Sequence, residues 1–460
     1  MGTVLEGLQA GAVVSEPARY LPRADREAYG RGLRDRVRRV DQDTWVPDAG
    51  RDPVARIRAN ETGRLTEMLG FRHGRMAVSP FAFLRGGAWV MAADLAALPH
   101  TGYPVQICGD AHIRNLGAYA SPDGKVVFDL NDFDETCRAP WEWDLKRLAI
   151  SLVLVAREAG ATDKVGAEAV MAMVRLWRET LHDLADLPAT ELARYVVHRF
   201  TPEGPVGRVL RKAERMSAVH ARDSLATLGS DGRHAFTDNK PKLTRVADEV
   251  SKKVLASLVP YRDTLGPNRQ QILDSYLIYD VAFKLAGTGS VGAHNYAVLG
   301  VGNGADDPLI LQVKQALPSC YQAQGLVPVD ARVSEHEGKR VAEGQHRMQT
   351  WTDPFLGWTT IDGVPYYVRQ LSDHKASIDP SELKRSSLLE YARVCGETFA
   401  KAFARTADAA VLWGYAGEAE KLDKAFAKLA VLGADQVTKD WEALKGAIAR
   451  GDIVATPEPG

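Results

Sequence analysis

Residues 109–135 read GDAHIRNLGAYASPDGKVVFDLNDFDE, and this stretch constrains the fold more than any other part of the chain. Gly109 opens a turn in which Asp110 precedes Asn115 by five positions (115 − 110). A hairpin turning at Ser121-Pro122-Asp123-Gly124 follows. An apolar strand, Val126 to Phe128, then runs into the acidic group Asp129, Asp132, Asp134 and Glu135. Phosphoryl transfer needs few protein groups: a carboxylate that accepts or orients the proton of the attacking hydroxyl, and an amide oxygen and a second carboxylate that hold Mg²⁺ on the ATP phosphates. Asp110, Asn115 and Asp132 are those residue types in that order. Asp132 and Asp134 flank Phe133, so on an extended strand both carboxylates share a face, which suits a cation. The glycine pattern of an EF-hand Ca²⁺ loop is missing. His112 reads as a packed histidine bonding loop carbonyls rather than a general base.

Lys plus Arg (58) nearly cancels Asp plus Glu (59), so no basic field points to nucleic acid or an anionic membrane as the main partner. Four scattered cysteines, with no CxxC, argue against a disulfide framework or a zinc site and suit a reducing compartment. The N-terminus lacks a charged region followed by an apolar core, and no apolar run approaches the ~20 residues that span a bilayer. The chain therefore reads as soluble and cytoplasmic, without a membrane partner; its oligomeric state is open.

Along the chain, Arg34 to Arg39 reads as a basic surface helix and residues 60–70 as a short helix. Residues 79–98 read as a strand leading into a helix. Residues 140–160 form a strong helix pattern, with Pro140 before it and Gly160 ending it, and helix continues over 163–197. Residues 200–243, broken by Gly, Pro and Ser, read as a long loop or insertion, and helix resumes over 244–283. From 284 the composition turns Gly-rich and β-branched. Strands are expected near 295–300, 308–317 and, turned at Asp362-Gly363, over 353–371, with a helix at 338–351 between them. Residues 381–407 and 417–450 are helical, and the tail 454–460 reads as disordered. The aromatic pair Trp141 and Trp143 reads as core.

Gly287-Thr288-Gly289-Ser290-Val291-Gly292 satisfies GxGxxG. A dinucleotide-binding turn would open a helix; here Asn295 to Gly300 looks like a strand. A second strand then places Lys314 22 positions after Gly292 (314 − 292). Glycine turn, strand, then Lys is how protein kinases cover and grip ATP phosphates, although His294 stands where a Val is usual. Such enzymes pair that Lys with a Glu on the next helix, for which Glu335, Glu337, Glu343 and the neutral Gln345 are open choices. Val364 to Leu371 would lead into the adenine hinge. Arg85 and Arg369 are phosphate or substrate contacts, or ordinary ion pairs.

The whole chain resembles the bacterial domain-of-unknown-function 2252 family over roughly residues 70–415. The motifs that carry the resemblance include RMAVSPFAFLRG (75–86), GDAHIRNLG (109–117), FDLNDFDE (128–135), PWEWDLKRLAIS (140–151), GTGSVG (287–292), LQVKQA (311–316) and YYVRQL (366–371). Leu116 and Phe403 depart from its usual Phe and His. GDAHIRN is also similar to the catalytic loop of aminoglycoside- and choline-kinase-type phosphotransferases. That resemblance implies Asp110 as base, Asn115 and Asp132 as Mg²⁺ ligands with Asp134 as a neighbour sharing the ion, and Asp144 supporting the catalytic loop from below. In ordinary kinases the glycine loop and Lys come first; here they follow. The helix at 388–408 resembles the one that ends before the catalytic loop in those enzymes, as a circular permutation requires.

The expectation is an α/β (α+β), two-lobed protein-kinase-like fold in circularly permuted order. Residues 1–283 form a helical lobe with the catalytic and metal-binding loops. Residues 284–372 form a small antiparallel-sheet lobe in which Gly287, Gly289, Ser290, Gly292 and Lys314 bind nucleotide, and 373–460 supply helices returning to the large lobe. The expected activity is ATP- and Mg²⁺-dependent transfer of the γ-phosphate to a hydroxyl of a small molecule. The alternatives are a catalytically silent kinase-like protein that binds a nucleotide or partner, and a dinucleotide-dependent enzyme.

Overall fold

The computed structural model describes residues 20–46, 50–230, 232–285, 287–329, 335–371 and 376–457. It is a mixed α+β structure, roughly half helical, and every strand pairing in it is antiparallel. The expectation about the extreme N-terminus lies outside the described residues.

Glu142–Glu158 is the central helix. Its residues from Glu142 to Ala156 are all buried, as an apolar helix with no solvent face must be. Most of its buried polar atoms are met: Lys146 Nζ donates to the Pro99 carbonyl at 2.6 Å, and the Thr101 N–H donates to Glu142 Oε1 at 2.6 Å, while Glu142 Oε2 and Trp143 Nε1 have no partner among the described residues. Helices Asp163–Leu184, Arg385–Thr406 and Lys421–Ala449 pack around it. Trp141 stacks between Trp177 (4.9 Å) and Phe426 (6.1 Å), knitting the bundle together. Among the described residues no helix is long and apolar enough to cross a membrane.

A six-stranded sheet runs in the order Gly357–Ile361, Val364–Gln370, Pro308–Gln315, Asn295–Val301, Leu277–Lys284, Leu243–Arg245. Register places Lys314 between Asn295 and Tyr367. This sheet has its own apolar core with helices Asp248–Ala256 and Leu258–Arg262, including Val254, Tyr261, Val298 and Val313. Two smaller pairings position the loops of interest. Pro104–Ile107 pairs with Cys137–Pro140, and Leu116–Ala120 pairs with Val126–Leu130. The Gly109 turn therefore joins one pairing to the other in one direction, and the acidic turn at 131–136 joins them back. Both turns lie at the same junction, and the Asn131 N–H donates to the Asn115 carbonyl at 3.0 Å.

Several expectations change. Residues 79–98 are two helices, Pro80–Gly86 and Ala88–Ala97, because Ser79 caps the first by accepting from Ala82 N–H (3.1 Å) and Gly87 breaks between them. Residues 200–243 contain the helices Pro205–Glu214 and Ala218–Leu225 and two short strands. The 244–283 helix is interrupted at Gly266-Pro267, and Leu277–Lys284 is a strand, so the sheet begins before 284 and includes Leu243–Arg245. The tail is docked as far as it is described. Val454 carbonyl bonds His73 Nδ1 at 2.8 Å, and Thr456 N–H donates to Gly70 carbonyl at 2.8 Å. Gly70 and Gly74 leave the groove: a Cβ on Gly74 would meet the Thr456 carbonyl oxygen at 2.1 Å.

Candidate functional site

Gly109 has φ +82, and a Cβ there would lie 2.2 Å from the Glu135 carbonyl oxygen, so only glycine lets the two turns touch. Asp144, in the first turn of the central helix, accepts from Cys108 N–H (2.8 Å) and Gly109 N–H (3.0 Å). Burial raises its carboxyl to about 6, with those two amides pulling the other way. Asn115 Nδ2 donates back to the Asp110 carbonyl at 2.7 Å, closing the turn.

Three residues on from Asp144, Arg147 lies wholly buried and donates Nε to Asp110 Oδ1 at 2.8 Å, with a second nitrogen on the same oxygen. A further bond to the Leu84 carbonyl (2.6 Å) fixes the guanidinium. Asp110 Oδ2 has no hydrogen bond among the described residues; His112 Nε2 stands 3.7 Å away, beyond bonding range. His112 is buried, accepts Arg114 N–H at Nδ1 (3.2 Å), and has its pKa driven well below 6.5 by burial and then by Arg85, Arg147 and Arg114. It is a neutral loop-bracing histidine.

Asp132 and Asp134 diverge in role. Asp132 takes only the Asp134 N–H (3.3 Å), and burial followed by the Asp134 charge pushes its carboxyl up. Asp134 has both oxygens engaged: Oδ2 by Lys314 Nζ and Ser290 Oγ (2.7 Å), Oδ1 by Tyr367 Oη (2.9 Å). Burial opposes its charge, but Lys314, Ser290 and Arg369 outweigh burial and hold it below the usual carboxylate range. For Lys314, 4% exposed, burial is likewise overcome by Asp134 and the pKa rises. Lys314 also donates to Ser290 Oγ at 2.7 Å.

The Lys314 partner is therefore Asp134 and none of the residues at 335–349. Glu337 bonds Arg340, Glu343 pairs with Arg347 at 2.7 Å, Gln345 bonds Gln349 at 3.0 Å, and Glu335 is exposed. With its charge already met by the acidic turn, Lys314 has no call for a second carboxylate. Helix Glu337–Met348 contributes a cation instead. Arg340 donates to the carbonyls of Thr136 (2.7 Å), Leu317 (2.8 Å) and Asp134 (2.9 Å), clamping the turn.

The glycine turn splits as well. Gly287, Gly289 and Ser290 line the cavity, and a Cβ on Gly289 would stand 3.8 Å from Asp110 Oδ2. Gly292 (φ +93) faces away; its carbonyl accepts Leu65 N–H at 2.7 Å, and its Cα packs on Arg64. Strand Asn295–Val301 follows the turn, where a dinucleotide fold would have a helix.

One cavity of about 570 Å³ gathers Asp110, Asn115, Asp132, Ser290, Lys314 and Arg369. Arg369 is braced by Gln312 Oε1 (2.9 Å) and the Asn131 carbonyl (3.1 Å). Sequence reasoning missed Arg147, Arg340, Tyr367, Arg64 and Arg114. Arg147 left one usable signal, its i+3 spacing from Asp144, which puts both on one helix face. No cluster of three or more His, Cys, Asp or Glu suited to a metal cage occurs among the described residues. Mg²⁺ on a nucleotide needs only one or two protein carboxylates, since phosphates and water complete its shell. Asp132, half-buried and in no ion pair among the described residues, together with the amide oxygen of Asn115, fits that demand.

The sequence matches the model of a family described as an uncharacterized protein conserved in bacteria (DUF2252) over residues 64–447. No curated protein and no solved structure matches it.

Proposed function

We propose that this chain, which belongs to the DUF2252 family of proteins conserved in bacteria, is an ATP- and Mg²⁺-dependent phosphotransferase acting on a hydroxyl of a small molecule. One observation carries the reading: Asp110, Asn115 and Asp132 share a cavity with Ser290 and Lys314, although Asp110 and Lys314 lie 204 residues apart (314 − 110). The same observation supports a protein-kinase-like fold in permuted order, with the six-stranded sheet as the nucleotide-gripping lobe.

In this reading Asp110 Oδ2, left open while Arg147 holds Oδ1, orients the acceptor hydroxyl and takes its proton. Lys314 and Arg369 offset charge on the phosphates, and the turn at Gly287 and Gly289 admits them close to backbone. Asn115 and Asp132 would hold Mg²⁺, which when bound offsets further phosphate charge. Asp134 keeps Lys314 charged and placed. A catalytically silent nucleotide-binding protein is the second reading, favoured by the double grip of Arg147 on Asp110, which restrains the proposed base.

Thermal stabilisation by ATP with and without Mg²⁺ tests the reading. Wild type should gain several degrees only with the metal, and Asp132→Ala should lose the gain. ATP turnover that Asp110→Asn abolishes separates the active from the silent reading. Absence of any nucleotide shift in wild type overturns both.

A further inference from the structure

Arg64, Arg85, Arg114, Lys314 and Arg369 line the cavity, and their charges are met to different degrees. Lys314 sits on Asp134, and Arg369 is braced by neutral oxygens beside it. Arg64 spends its nitrogens on the Asn60 carbonyl (2.8 Å), Asn60 Oδ1 (3.0 Å) and the Val291 carbonyl (2.9 Å). Arg85 and Arg114 differ from these. Among the described residues neither is in an ion pair, and neither side chain makes a hydrogen bond; the buried Nε of Arg85 has no partner at all. Arg85 lies in the last turn of helix Pro80–Gly86, and its carbonyl oxygen lies 3.3 Å from where a Gly289 Cβ would stand, next to Asp110 Oδ2. Arg114 is exposed and follows His112 in the catalytic turn.

Burial, then the like charge of Arg114, lowers the Arg85 pKa to about 10, so it stays protonated at neutral pH. Asp110 and Asp132 favour its charge from a distance, but a mostly buried guanidinium with no bonded partner among the described residues is unfavourable unless something pairs with it. With the exposed Arg114 guanidinium acting on it as a like charge, the pair makes a place for an anion near the proposed base. Two positive charges are matched by a dianion, whereas a single carboxylate would leave one unmet.

We infer that Arg85 and Arg114 form a second anion subsite, which holds a phosphomonoester group of the acceptor while its hydroxyl lies at Asp110. The acceptor is then a hydroxyl compound that already carries a phosphate. This inference rests on the phosphotransferase reading for the word acceptor, but the anion subsite itself does not. Bidentate guanidinium–phosphate bonds supply both the affinity and the orientation of the hydroxyl.

Inorganic phosphate is the probe, titrated calorimetrically into the full chain at low salt, with and without Mg²⁺ and a saturating non-hydrolysable ATP analogue. Wild type should bind phosphate in both conditions, and acetate at least about tenfold more weakly. Arg85→Gln should weaken phosphate by about tenfold or more, as loss of a charge-assisted pair requires. Arg114→Gln, at an exposed residue that does not threaten folding, should weaken it by several-fold and decides the matter if Arg85→Gln fails to fold. No phosphate binding, or binding indifferent to Arg114→Gln, overturns the subsite. Displacement of phosphate by the analogue assigns these arginines to the nucleotide and overturns it equally, and acetate binding as tightly as phosphate removes the dianion assignment. Phosphate binding without analogue binding would sink the phosphotransferase reading while leaving the subsite; analogue binding without phosphate would do the reverse.

Discussion

Replacing Asp144 by Ala tests whether the Gly109 turn is held from beneath by a buried carboxylate. The side chain is fully buried and accepts two backbone N–H groups, those of Cys108 and Gly109. Leaving both without an acceptor costs about 1–3 kcal/mol each. The wild-type residue also carries a charge in a place that disfavours it, since its carboxyl rises from 3.8 to about 6. Between those values the folded chain binds the proton more readily than the unfolded chain, so stability falls as pH rises. About two pH units at ~1.4 kcal/mol each give a loss of ~3 kcal/mol, complete above pH 6. The alanine variant lacks this term. Near pH 4 it should be less stable than wild type by about 2–6 kcal/mol, and by pH 7 the gap should have narrowed by about 2–3 kcal/mol. Urea unfolding of both proteins at intervals from pH 4 to 7 measures the gap, and taking the difference cancels every other titrating group. Hydrogen exchange of the 105–112 peptide gives a local readout, in which the variant should exchange faster. A gap constant to within about 1 kcal/mol across this range would refute the reasoning.

Lys401, buried on helix Arg385–Thr406, pairs with buried Asp129 at the head of the acidic segment. Lys401→Met should destabilise by about 3–5 kcal/mol, and Asp129→Leu added to it should recover part of that loss in urea midpoint; a double variant worse than the single would contradict the account. Gly109→Ala should lower Tm more than Gly124→Ala, because both have positive φ but only the first would drive a Cβ to 2.2 Å from another backbone. Equal shifts would mean the two turns are not in contact. Tyr367→Phe, which removes one bond to Asp134, should cost about 0.5–1.5 kcal/mol at pH 7 by thermal unfolding and leave the fold intact.

Local chemistry was legible where it depended on neighbours in sequence. The hairpin at 121–124, the strand leading into the acidic cluster, and the helix bearing Asp144 could all be read because turn residues and periodicity act over a few positions, whereas the strand Cys137–Pro140 after the cluster was not read. Leu277–Lys284 was not, since its apolar residues fit a short helix as well as a strand, and only pairing with Asn295–Val301 decides between them. The docked tail escaped for a similar reason: its small and proline-rich residues look unstructured until Gly70 and Gly74 supply a groove. Arg147 was hidden inside an apolar helical pattern, where a single buried Arg is noticed only once its carboxylate partner is placed. The sharpest miss concerned Lys314. Helical order suggested a Glu from 335–349, but sheet register aims the Lys at the acidic turn, and register is a long-range property.

The acidic turn also explains how two distant chain segments come to share one cavity. Residues 131–136 are bonded to the sheet and its flanking segments at nearly every step: Asn131 by Arg369, Asp134 by Lys314, Ser290 and Tyr367, Glu135 by Ser319 and Cys320, Thr136 by Arg340. On its other side the turn touches Gly109 and bonds Asn115, which carry the proposed base and ligand. Most of these links are polar and meet at backbone carbonyls or at one carboxylate. They therefore fix orientation in a way that nondirectional apolar contact would not. The exception to this saturation is Asp132, which sits at the centre of the turn in no ion pair among the described residues and lines the same cavity as Asp110. A segment so closely braced, with Asp132 as the one acidic side chain in it bonded only from within the turn among the described residues, holds that carboxylate in a fixed place on the cavity.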